Sequence, residues 1–209
     1  MDYQLDTNEA RKADSTGNQI KEIGKYNGKF IQAEDITAKT GTKGVALTFE
    51  SDAGQKTRIS LYTKKSDGTT IMGYQALMAI MTCMSLRGIK PVAGQVMHWN
   101  AEEKKDIAQP GSIFPELCNK PVGLLLETED YASTTGELKT RMVLQGVFQA
   151  KTELTASEIL DKKTSPEQLG KMVARLRHRP IKAAPGAAAP NFTAKPSLGF
   201  DDMDDDIPF

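Results

Sequence analysis

A mainly β domain, closed into a five-stranded barrel with one helix between its third and fourth strands, is the fold this sequence predicts. Three observations carry the expectation. Three strand-like runs separated by turn residues occupy 25–65, one helical period follows at 73–87, and two further strand-like runs fill 122–150. At 209 residues the chain suits one good core with extended ends better than two very small domains.

Residues 1–23 are polar and lack a clean period, which predicts a flexible arm or a short helix at 9–13. The folded domain is expected over 24–180. Its first strand, 25–36, contains Lys25, Tyr26 and Lys29 and bends at Gly28. Thr40, Gly41 and Gly44 supply a turn, after which Val45, Leu47 and Phe49 alternate with smaller or polar residues, as a half-buried strand requires. Residues 51–54 close a hairpin. In the third strand Ile59, Leu61 and Thr63 share one face, and Arg58, Ser60, Tyr62 and Lys64 share the other, with Lys65 just beyond. That second face sets an aromatic ring between cations, which is what a stacked base and its flanking phosphates need. It is also what an ordinary solvent-facing strand contains.

Leu77, Ile80, Met81 and Met84 fall at i, i+3, i+4 and i+7, a core-facing helical stripe with Gly88 as its stop. Strand, strand, strand, helix is the opening order of an OB-fold. Pro91, Gly94, Pro110, Gly111 and Pro115 then break the chain repeatedly, predicting a long insertion with at most short strands such as 95–99. Trp99, the only tryptophan, can stack on a base or anchor this insertion to the body, and its usual burial favours anchoring. Residues 122–129 and 139–150 complete the five strands. In an OB-fold the loop between the last two borders the nucleic-acid groove, which makes Tyr131, Lys139 and Arg141 candidates beside the plainer reading of a solvated hairpin. A C-terminal helix starts near Ser165-Pro166, and its stripe of Leu169, Met172, Val173 and Leu176 is expected to pack on the barrel or to mediate self-association. The Ala- and Pro-rich run 181–200 reads as a linker.

Residues 1–180 contain 25 of the 27 Lys and Arg and all but five of the 27 acids, a net of +3 hidden beneath an overall charge of zero. A modestly basic body with an acidic appendage suits a weakly selective polyanion binder. Cys83 and Cys118 form no C-x-x-C, and with only His98 and His178 to add, neither a zinc site nor a nucleophile is expected. Residues 40–44 lack the spacing of a phosphate-binding P-loop, so no enzyme and no cofactor are expected. No signal peptide or membrane span is read, and the expected location is cytoplasmic with reduced thiols.

The last nine residues, 201–209, place five aspartates around Met203 and before Ile207, Pro208 and Phe209. Such a segment buries nothing and repels itself, so it is expected to be disordered. An apolar tip on a disordered acidic end is expected to act as bait: Phe209 fills a partner's pocket, its carboxylate meets a cation, and Pro208 limits the entropy lost. The run Asp204-Asp205-Asp206-Ile207-Pro208-Phe209 resembles the tail of bacterial and phage single-stranded DNA-binding proteins. That resemblance implies an OB-fold holding single-stranded DNA and a tip that recruits replication, repair and recombination proteins. The polar start and the insertion after the helix depart from the bacterial pattern, so the closer likeness is to the phage type, acting in the cytoplasm of an infected host. A bacterial homotetramer is not implied, and a homo-oligomer stays open. A strand-annealing recombination protein and a protein-only adaptor displaying the tail are the alternative readings.

Overall fold

The computed structural model describes residues 18–100, 103, 105–133 and 136–181. Strands β1 (Gly24–Thr37), β2 (Lys43–Ser51) and β3 (Lys56–Lys64) form an antiparallel meander. The register sets Ala33 beside Leu47 and Leu47 beside Ile59, so one face is apolar throughout. Phe30 and Phe49 are paired across β1 and β2 and meet edge to face, with ring centroids 5.9 Å apart. The predicted face of β3 is buried, including Thr57 and Thr63. Gly28 is where β1 turns from one partner to another. It pairs with Ser51 of β2 and Val122 of β6 (Pro121–Ala132), and a Cβ there would lie 2.1 Å from the Glu50 carbonyl oxygen.

Helix α1 (Met72–Cys83) buries Leu77, Ile80 and Cys83, and Met84 follows them into the core. It stops earlier than Gly88, because Ser85 turns into the left-handed region at φ 55. Burial pushes the Cys83 thiol up to about 12, so it is an inert core group.

The insertion is more regular than expected. β4 (Val92–Asn100) and β5 (Lys105–Ile113) make a continuous nine-pair antiparallel ribbon. Pro110 misled the sequence reading; β5 pairs with β1 only at Ile113, so its far edge at Pro110 is open, where a strand tolerates a missing N–H. After a 3-10 turn (Pro115–Leu117), β6 returns along β1 and pairs with β7 (Leu138–Phe148).

The whole is mainly β, with one seven-stranded antiparallel sheet ordered β3-β2-β1-β5-β4 and with β6 and β7 branching from β1. It is not the closed five-stranded barrel expected. β3 and β7 lie near one another with α1 packed against both, but they are not paired. At Lys56, the first residue of β3, the outer edge is taken instead by residues before β1. Ile20 N–H donates to the Lys56 carbonyl at 2.9 Å, Lys56 N–H donates to that of Asn18 at 2.7 Å, and Ile20 is buried. The body therefore begins by residue 18 rather than at 24.

Helices α2 (Ala156–Leu160) and α3 (Leu169–Val173) are short. α3 packs on the body, where Leu169, Met172 and Leu176 meet Leu125 and Phe148 in a second small core. The chain then lies along β6 beyond the point where β1 begins. Arg179 N–H donates to the Thr128 carbonyl at 2.7 Å, and the Arg179 side chain pairs with the buried Glu127. Among the described residues no helix is long and apolar enough to cross a membrane.

Candidate nucleic-acid interface

The outer face of the meander, opposite the core, bears Lys29, Arg58, Tyr62 and Lys64 of the predicted site. Its three parts have different chemistry. At one end Lys43 and Lys64 are cross-strand partners, and Tyr62 stands opposite the buried Gly44. Lys65 follows, and Lys64 Nζ lies 5.8 Å from the centroid of the Tyr74 ring on the first turn of α1. The lysines are exposed and both tyrosines half-buried. The nearby Asp67 carboxylate accepts the Thr69 N–H at 2.8 Å, and that bond holds its pKa below the usual value.

The middle of the face is covered. Ala46 points away from the core yet is only 2% exposed. The Gln32 amide accepts the Met97 N–H at 2.8 Å and donates to the Met97 carbonyl at 3.3 Å. Arg58 Nη2 pairs with Glu34 at 2.8 Å, and the His98 ring lies 3.4 Å from each of Glu34 and Arg58. With 14% of its side chain exposed, Arg58 is not the open phosphate contact that strand alternation predicts. Alternation puts Trp99 on the ribbon's other side from His98, across from Asp106, where it is half-buried.

At the far end Lys29 and Lys56 share Glu50, at 3.9 and 3.5 Å. The open depression beside Gly28 and Lys29 is lined by Glu50 and Asp52, which disfavours a phosphate. Lys25 pairs with Glu153 at 2.6 Å. Tyr26 is a packing residue: its ring lies against the core, its hydroxyl donates to the Glu22 carbonyl at 2.8 Å, and burial, then the Glu22 charge, raises its pKa. Lys25, Tyr26 and Lys29 are thus not brought to the Tyr62 face as open contacts.

A second cluster lies on β6 and β7. Tyr131 and Lys139 are register partners, and the Arg141 guanidinium sits 5.1 Å from the Tyr131 ring centroid while pairing with Glu129 at 3.0 Å. Lys139 is exposed. The Thr140 hydroxyl and His178 hold the Asp130 carboxyl below its usual pKa, and this acid, with Glu129, offsets the cations here.

Sequence reasoning missed Lys43 and Tyr74. Each lies outside the strand that drew attention, and only the β2–β3 register and the seating of α1 bring them to Lys64. The proposed tail contacts Asp204, Asp205, Asp206, Ile207, Pro208 and Phe209 lie outside the described residues, as does the linker from 182 onward. No protein-family model matches the chain, and no curated protein is detectably similar to it.

Proposed function

We propose that this protein binds single-stranded DNA without catalysis and with little regard to sequence, protecting it during phage DNA replication and recombination while residues 201–209 recruit partner enzymes. The observation that carries the reading is the Lys43, Lys64 and Lys65 cluster around Tyr62 and Tyr74: cations for phosphates beside rings that any base can stack on. Strand order supports it. With the β4–β5 ribbon set aside as an insertion, β1-β2-β3-α1-β6-β7 with β6 returning on β1 is the order of an OB-fold, differing in the unpaired β3 and β7. The Asp-Ile-Pro-Phe ending supports the recruiting role.

Titration of labelled oligo(dT) against a duplex of equal length tests the reading. Preference for the single strand is expected, with log K falling against log salt by about 0.7 per phosphate contact. Equal affinity for duplex, or a slope near zero, contradicts it.

A further inference from the structure

The part of the outer face left open to a nucleic acid is short. Its middle row, Gln32, Glu34 and Arg58, is engaged by Met97 and His98 of the β4–β5 ribbon. Apolar packing seats the ribbon as well: Ile113 packs over Gly94 and the buried Val96 over Gly111, with side-chain carbons 2.6 and 2.5 Å from where a Cβ on those glycines would stand. A strand of nucleic acid therefore meets a packed element there rather than a groove. Burial reaches Ala46, which is paired with Ser60 and lies only two residues, about 7 Å, from the Gly44–Tyr62 pair. Past the middle stand Glu50 and Asp52, which repel phosphates. What remains is the end with Lys43, Tyr62, Lys64 and Lys65, to which α1 adds Tyr74. Because Gly73 lets the first turn of α1 sit on the Tyr62 backbone, the Tyr74 ring comes to lie 5.8 Å from Lys64 Nζ. The acid beside Lys65, Asp67, is turned to the Thr69 N–H.

We propose that the single-strand site is compact, spanning about four nucleotides, and lies across this end of the meander instead of along the middle of the sheet, with Tyr62 and Tyr74 as its two stacking platforms. The proposal rests on the single-strand reading above. Three lysines neutralise three phosphates, and three phosphates join four nucleotides. Lys64 links the two kinds of contact. Its ammonium lies over the Tyr74 ring in the free protein; a phosphate draws it away, and a base takes its place on the ring.

The test is a length series of oligo(dT), from about four to about twenty nucleotides, titrated at several salt concentrations. Affinity per available register is expected to level off at about four nucleotides, and log K to fall against log salt with a slope of about 2, from three lysines at about 0.7 each. Tyr74→Ala is expected to weaken binding about 5- to 150-fold at short and long lengths alike. Lys29→Ala, at the far end of the face, is expected to change neither affinity nor slope. The length series needs only the unaltered protein, so it decides the matter if Tyr74→Ala fails to fold. Affinity per register that still rises at about twelve nucleotides, a slope steeper than about 4, undiminished binding by Tyr74→Ala, or a slope lowered by about 0.7 in Lys29→Ala overturns the compact site and leaves the single-strand reading standing. If oligo(dT) of no length binds in preference to duplex, both fall.

Discussion

Tyr62 is half-buried on the face opposite the core, into which its neighbours Leu61 and Thr63 point. Tyr62→Ala is therefore expected to weaken oligo(dT) binding by about 1 to 3 kcal/mol with little change in melting temperature. A large fall in stability with unchanged affinity would make Tyr62 a packing residue instead. Lys43→Ala and Lys64→Ala are expected to act on the salt slope, each lowering it by about 0.7. Glu158 makes a prediction about stability. Burial raises a carboxyl, but here the Thr155, Glu167 and Gln168 N–H groups and the Thr155 hydroxyl all donate to it, at 2.6 to 2.9 Å, and hold its pKa at about 2. Its folded value lies below the 4.5 of an ordinary glutamate, so the stabilisation is complete above about pH 4.5 and is lost as pH falls toward 2. Glu158→Gln is expected to be the less stable protein at pH 7, by about 1 to 3 kcal/mol. Melting both proteins at pH 7, 4 and 2.5 should show the gap closing; a gap independent of pH would mean that the carboxylate's charge contributes nothing.

The elements that were legible in the sequence are those whose burial pattern is local. Alternation in β3 and the stripe of Leu77, Ile80, Met81 and Met84 each report one partner surface; the β3 face is buried, and so is the stripe except for the half-buried Met81. The β4–β5 ribbon was not legible, because Gly94, Pro110 and Gly111 are breakers in isolation and become permissible only where an edge is open or a close approach is needed. The same limit applies to the site. Tyr62 and Lys64 could be placed on one face from spacing alone, whereas the burial of Arg58 depends on Glu34 and His98, 24 and 40 residues away. Gly73 tests how tightly element packing fixes that face. A Cβ at this position would lie 2.1 Å from the Tyr62 carbonyl oxygen, so α1 is seated directly on the β3 backbone. Gly73→Ala should destabilise by about 1 to 3 kcal/mol despite alanine's better helix propensity, because backbone cannot yield as a side chain can. It should also weaken oligo(dT) binding by shifting Tyr62 relative to Tyr74. At Gly88 an added Cβ meets nothing within 4 Å, so Gly88→Ala serves as the neutral control. Thermal melts that rank the two alike would contradict so close a seating.

At the scale of the whole molecule, charge separates the chain into two parts, for which the proposed function assigns different tasks. The first 180 residues carry a net +3 and the last nine carry five aspartates. The two are joined through the segment at Arg177 and Arg179, which is held on β6 beside the hairpin that bears Tyr131, Lys139 and Arg141. On the proposed reading, a tethered run of aspartates competes with phosphates for the basic face at high effective concentration. Deleting 201–209 is therefore expected to tighten single-strand binding modestly, most at low salt, where screening is weakest. The proposed function gives Phe209 a different task, since an apolar tip adds little to competition for lysines but is what a partner's pocket would hold. Deleting Phe209 alone should leave oligonucleotide affinity unchanged at every salt concentration while abolishing recruitment of replication and repair enzymes. The two deletions thus separate functions that a single binding surface could not. One fluorescent oligonucleotide titrated with full-length, Phe209-deleted and 201–209-deleted protein at two salt concentrations, with partner capture from host extract in parallel, measures both. Full recruitment by the Phe209 deletion, or weaker DNA binding after loss of 201–209, would show that the acidic segment is neither a detachable bait nor a competitor for the DNA face.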